Sequence, residues 1–114
     1  MVKTILACAV LVLGAKFVEY EQWFSADKQE GRHYVLVSAE WCPPCNTLKK
    51  RLRSEKYDGK TIIILDVDKH PELSDKILKG RGIPALIEYN LSGGEWKPAR
   101  IWDGADLDKF LRGE

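Results

Sequence analysis

Two cysteines three positions apart, Cys42 and Cys45, are the residues of this sequence best placed to do chemistry. They stand in the stretch Ala39-Glu40-Trp41-Cys42-Pro43-Pro44-Cys45, behind an apolar run and ahead of a helical pattern. On a helix, positions i and i+3 share a face, so the two sulfurs can meet as a dithiol or as a disulfide. Cys42 falls at the helix start, where unpaired backbone N–H groups and the macrodipole favour an anion. The thiolate is the form that attacks a disulfide, so this placement activates Cys42. Cys45, one turn further in, is the shielded partner that can resolve a mixed disulfide. Pro43 suits the first helical position and Pro44 removes another donor without a helical partner, while the Cys45 N–H remains to point back at the Cys42 sulfur. A zinc site needs four ligands, and the rest of the chain offers one further cysteine, Cys8, and two scattered histidines, His33 and His70. Redox chemistry is the better reading of the pair, and no metal is expected.

The elements that must hold this pair follow from the whole chain. At 114 residues it is one domain, long enough for a single core. Charged residues make up 31% with a net charge of +1, a balance that gives no reason to expect nucleic acid as a partner. Thr4 to Leu13 carries no charge and follows Lys3. A short basic start, an apolar stretch and small residues after it describe a signal peptide over residues 1–15 and an exported, periplasmic protein. The same run also reads as a buried first β-strand, which would leave the protein cytoplasmic and Cys8 an inert core thiol.

From Lys16 to Gln29 the spacing of Phe17, Tyr20 and Phe24 predicts a helix that stops at Gly31. His33 to Ala39 is a strand that delivers the chain to the Cys42 helix, which runs to about Tyr57 with Leu48 and Leu52 as its core stripe. Lys49, Lys50, Arg51 and Arg53 form a solvated face that complements the helix C-terminus. Thr61 to Val67 is apolar nearly throughout, as a parallel strand covered on both faces would be. Strand, helix, strand makes a right-handed βαβ unit. His70 reads as a surface loop residue, and Pro71 opens a helix to about Lys79. After Gly80-Arg81-Gly82-Ile83-Pro84 comes a strand, Ala85 to Tyr89, then a hairpin turn over Asn90 to Gly94 and a partner strand, Glu95 to Trp102, which Pro98 marks as an edge. Ala105 to Leu111 closes the chain as a short helix with Leu107, Phe110 and Leu111 turned inward.

In this order the motifs resemble the thioredoxin family. Trp41-Cys42-Pro43-Pro44-Cys45 is similar to its active-site motif, Leu65-Asp66-Val67-Asp68 to its third strand, and Arg81-Gly82-Ile83-Pro84-Ala85-Leu86 to the segment carrying its cis-proline. Gly104 and the last helix match the family's closing elements, so the resemblance covers about Gly31 to Arg112. It implies a thioredoxin-like α/β fold over residues 16–114: a central mixed sheet of four or five strands, flanked by helices on both faces, with the fifth strand supplied by residues 1–14. It implies that Cys42 is the nucleophile and Cys45 the resolving thiol. Trp41, Val67, Gly82, Ile83, Pro84 and Gly104 would form the substrate-docking surface, with Pro84 cis and Ile83 offering backbone groups to an extended substrate strand.

The sequence departs from the family at three places. Pro43 stands where the family usually has glycine, which stiffens the motif and shifts its redox balance. Leu36 and Ile64 stand where many members carry a buried aspartate and its partner lysine. Both being apolar is self-consistent, since a lone buried charge is costly. The usual base for Cys45 is then missing, and Asp103 or Glu40 or water would serve instead. Pro43, Pro44 and Asp103 are thus the tuning positions. The implied activity is that of a protein-disulfide reductase, a monomer with no cofactor beyond its own disulfide. Its partners would be protein disulfides and a separate electron donor, either like thioredoxin reductase or in a membrane. An exported disulfide oxidant or isomerase, and a binding subunit that uses the docking face without turnover, are the competing readings.

Overall fold

The computed structural model describes residues 14–25 and 30–113. Five strands form one sheet: β1 (Lys16–Glu19), β2 (Gly31–Ser38), β3 (Thr61–Asp66), β4 (Ala85–Ser92) and β5 (Glu95–Asp103). Four α-helices accompany them: α1 (Tyr20–Ser25), α2 (Pro43–Leu52), α3 (Pro71–Leu78) and α4 (Asp106–Leu111). The strand order is β1-β3-β2-β4-β5. β1 and β2 lie parallel to β3 on its two sides, and β4 and β5 are antiparallel additions. This is the mixed α/β sandwich expected from the sequence.

Side-chain alternation along the strands splits the core into two layers. Leu36, Ile62, Ile64 and Leu86 point to the face covered by α2 and α4, where they join Leu48, Leu52, Trp102, Leu107 and Phe110. Val35, Val37, Ile63, Leu65 and Ile87 point to the opposite face, where Tyr20, Trp23, Leu73 and Ile77 of α1 and α3 pack. β3 is buried on both faces, which explains its unbroken apolar run.

The helix expected over Lys16 to Gln29 is not what forms. Lys16–Glu19 is an edge strand in register with Thr61 to Ile64, and among the described residues of this segment Tyr20–Ser25 is helical. The aromatic spacing misleads because the aromatics do not share a face. Phe17 packs in the α2/α4 layer, Tyr20 and Trp23 in the other, and the side chain of Phe24 lies outside the described residues. In the described sheet the strand beside β3 at this edge is Lys16–Glu19. Thr4 to Leu13, with Cys8, lies outside the described residues. Gly14 and Ala15 already belong to the packed domain: Ala15 is in the core, and its N–H donates to the Leu52 carbonyl. Gly14 has φ +84° and no room for a side chain, since a Cβ there would stand 2.3 Å from the Arg53 carbonyl carbon.

Helix α2 stops at Leu52, earlier than Tyr57. The chain passes into a 3₁₀ turn at Glu55–Tyr57, where the Tyr57 hydroxyl donates to the Leu111 carbonyl at 3.0 Å and ties α2 to α4. The hairpin turn is tighter than Asn90 to Gly94. Only Gly93 and Gly94 turn, both at positive φ, which suits a two-residue connection. β5 is an edge strand, as Pro98 implied. A bulge leaves Ala99 extra between the pairs Tyr89–Pro98 and Glu88–Arg100.

Candidate active site

β2 ends at Ser38, and the chain rises over the sheet edge through Ala39, Glu40 and Trp41 into α2. The Cys42 N–H donates to the Ala39 carbonyl at 3.2 Å, closing that turn. The Asn46 side-chain amide donates to the Glu40 carbonyl at 2.9 Å and pins the turn to the helix. Cys42 is the N-cap, with extended backbone (φ −95°, ψ 108°), and Pro43 and Pro44 open the helix. Prolines there sacrifice only N–H groups that a helix start leaves unpaired. The next free donor, the N–H of Cys45, reaches back to the Cys42 sulfur at 3.3 Å.

Cys42 and Cys45 are joined in a disulfide, with Cα atoms 5.2 Å apart. The two sulfurs are not equivalent. Cys42 keeps 4% of its surface exposed and Cys45 none, so attack from outside has access only to Cys42. Ala39 packs with both cysteines, and Val67 and Ile83 close the cluster from neighbouring loops. Val67 is held there by its N–H, which donates to the Ser38 carbonyl at 3.0 Å. The Ile83–Pro84 peptide bond is cis, and Pro84 is buried beside the start of β4.

Two surfaces flank the disulfide. On one side stands Trp41, 66% exposed. Its indole N–H donates to the Asp68 carboxylate at 2.8 Å, which fixes the ring over the loop after β3. On the other side a groove runs between α2 and α4, lined by Pro43, Pro44, Gly82, Ile83, Pro84, Asp103 and Gly104 among others. Gly104 sits at φ +52°, in the left-handed region that favours glycine. Asp103 ends β5 and is paired with Arg81 at 3.7 Å across the groove rim. Glu40 is exposed at the turn. Val67 and Ile83 thus pack against the two cysteines, and Gly82, Pro84, Asp103 and Gly104 share the neighbouring groove with Pro43 and Pro44, while Asp68, Asn46 and Arg81 were given no role there. Asp68 and Arg81 act through partners distant in sequence, Trp41 and Asp103, whereas Asn46 acts within its own turn, on the Glu40 carbonyl.

The two apolar replacements in the core face each other. Leu36 on β2 is the register partner of Ile64 on β3, and both are buried under α2. Among the described residues no cluster of three or more histidine, cysteine, aspartate or glutamate side chains is placed to hold a metal. No described helix is long and apolar enough to cross a membrane.

A mixed sheet of three parallel strands and an antiparallel hairpin, with a cysteine pair at the start of a covering helix, defines a thioredoxin-fold protein. The comparisons agree. Thioredoxin 3 of Plasmodium falciparum is 32% identical over 82 residues, a match covering 68% of this chain and 45% of that relative. The crystal structure of a Plasmodium falciparum thioredoxin superposes with a TM-score of 0.64 at 25% identity, over 88% of this chain and 85% of the other. Trichomonas vaginalis thioredoxin gives a TM-score of 0.59 at 26% identity, over 89% and 93%. No family model matches the chain. The chain spans somewhat less than half the length of the curated relative it matches. On sequence, fold and cysteine pair together, it belongs to the thioredoxin family.

Proposed function

We propose that the chain is a thiol–disulfide oxidoreductase that reduces disulfides in other proteins. The observation that carries this is the asymmetric pair: a marginally exposed Cys42 at a helix N-terminus, linked to a fully buried Cys45. In the reduced protein the Cys42 thiolate attacks one sulfur of a substrate disulfide, forming a mixed disulfide and releasing the other sulfur as a thiol. The Cys45 thiol loses its proton and attacks Cys42. The Cys42–Cys45 bond re-forms and the second substrate sulfur leaves as a thiol. Two electrons pass to the substrate, and an external dithiol or reductase must return them. The docking roles of Trp41, Val67, Gly82, Ile83, Pro84 and Gly104 belong to this proposal and are supported by their placement around the disulfide. Asp103, on the groove rim, is the proposed carboxylate for the Cys45 proton. Asp103→Asn is expected to change the pH dependence of reduction.

The substrates are proposed to be protein disulfides and the donor a thioredoxin-reductase-like or membrane-bound protein, with the chain acting as a monomer. Residues 16–114 are the proposed catalytic domain. The segment ahead of it, residues 1–15, is the proposed export leader.

The test is turnover of a disulfide-containing protein by the reduced chain. Cys42→Ser is expected to abolish it. Cys45→Ser is expected to stop after one step, with substrate trapped on Cys42. Turnover by Cys42→Ser, or trapping through another residue, refutes the assignment.

A further inference from the structure

We infer that the Ser38 hydroxyl is a positioning group for the redox pair, unpartnered while Cys42 and Cys45 are joined and bonded to the Cys45 sulfur once they part. This deepens the proposed function and concerns the same pair.

Ser38 is 1% exposed, and its Oγ has no hydrogen-bond partner. Leaving a buried hydroxyl unpaired is unfavourable, so its retention calls for an explanation. Its place supplies one. Ser38 lies two residues beyond Leu36 on β2, hence on the same face of the sheet, the face covered by α2. Leu36 clusters there with Leu48, and Cys45 is three residues before Leu48, on the same side of the helix. β2 climbs toward the site while α2 descends from it. The step from Leu36 to Ser38 therefore runs the same way along the layer as the step from Leu48 back to Cys45, about 6.6 Å against about 4.5 Å, toward the buried sulfur.

The buried ionisable groups of the layer are engaged elsewhere: Glu88 pairs with Arg32 at 3.2 Å, and the Tyr57 hydroxyl donates to the Leu111 carbonyl at 3.0 Å. Leu36 and Ile64 are apolar. Asp66, the register partner of Ser38, spends a carboxylate oxygen on the Asp68 N–H at 2.8 Å, and Asp103 faces Arg81. When a donor dithiol reduces the bond, two electrons and two protons convert it into two thiols and the donor becomes a disulfide. The freed Cys45 sulfur can then accept from the Ser38 hydroxyl, as thiol or, more strongly, as thiolate. Ser38 thus favours the reduced form, where it gains the bond that it lacks in the oxidised one.

The experiment equilibrates the full chain, Ser38→Ala and Ser38→Thr with glutathione buffers, alkylates free thiols and reads the Cys42–Cys45 peptide by mass, so that Cys8 does not enter. Ser38→Ala is expected to make the disulfide about tenfold harder to reduce, ~30 mV more negative for a two-electron couple. Ser38→Thr, which keeps the hydroxyl, is expected to stay near the parent. An unchanged or more easily reduced Ser38→Ala disulfide overturns the inference, as does a Ser38→Thr that moves with it. Should Ser38→Ala not fold, the unmodified protein still decides. The Ser38 hydroxyl proton is expected to move downfield and exchange more slowly in NMR on reduction, and an identical resonance in both states overturns the inference. A chain that shows the potential shift yet reduces no protein disulfide refutes the proposed function and leaves this inference standing.

Discussion

The two faces of the sheet are cut from the same strands, yet they are filled differently. Between the sheet and the inner sides of α2 and α4 the packing is sealed, the groove of the site lying outside it between the two helices: Leu36, Leu52, Ile62 and Leu86 are fully buried, and Phe110 touches Tyr34, Tyr57 and Trp102. Under α1 and α3 a cavity of about 270 Å³ remains, walled by Tyr20, Trp23, Val35, Ile63, Leu73 and Trp96 among others. At its wall Trp23 of α1 meets Trp96 edge-on, with ring centroids 4.9 Å apart. The difference teaches where rigidity is needed. The disulfide rides on α2, so the layer beneath α2 must fix Cys45, whereas the far layer needs only to close the sheet.

The sharpest way to break the comparison is a charge in the closed layer. Leu36→Asp buries a carboxylate opposite the apolar Ile64, and is expected to cost more than about 4 kcal/mol in denaturant unfolding. Adding Ile64→Lys in the same chain is expected to recover part of that loss. A Leu36→Asp protein as stable as the parent would mean that water reaches this layer. Next in size, Leu52→Ala is expected to cost about 2–5 kcal/mol and to loosen the cysteine pair with it. By contrast, Ile77→Ala, at the wall of the far cavity and half-buried, is expected to cost about 1–2 kcal/mol and leave disulfide exchange unchanged. Equal losses at Leu52 and Ile77 would erase the distinction between the faces.

The smallest effect is alkaline. Burial raises the hydroxyl pKa of Tyr57 on the closed face, opposed weakly by Arg51, and of Tyr89 on the open one. A tyrosine raised in the folded state contributes stability that is complete below its unfolded value, about 10, and is lost as pH rises through the folded one. Tyr57→Phe and Tyr89→Phe are each expected to flatten the fall in stability above about pH 10. A slope unchanged in both would mean that neither group titrates late.

The elements around the cysteines were legible because local chemistry and tertiary packing agree there. Cys-Pro-Pro-Cys makes a helix start by itself, and the apolar run of β3 admits only a strand covered twice. The segment at Lys16 was not legible, since four residues can pair with β3 only if the rest of the sheet already exists. His70, expected in a surface loop, is the N-cap residue of α3 and half-buried, with its Nε2 2.7 Å from Glu21 and its ring edge-on to Tyr20. The Trp41–Asp68 bond and the orphan hydroxyl of Ser38 share that character. Each depends on a register that no sequence window contains. Leu36 and Ile64 were legible as a pair only through the family resemblance, and the register then placed them side by side.

The most direct test of the reductase assignment is the reduction potential of the Cys42–Cys45 pair, measured by equilibration with glutathione buffers. A dithiol that drives protein-disulfide reduction is expected at or below about −250 mV. A value above about −200 mV would make the bond an oxidant and contradict the assignment.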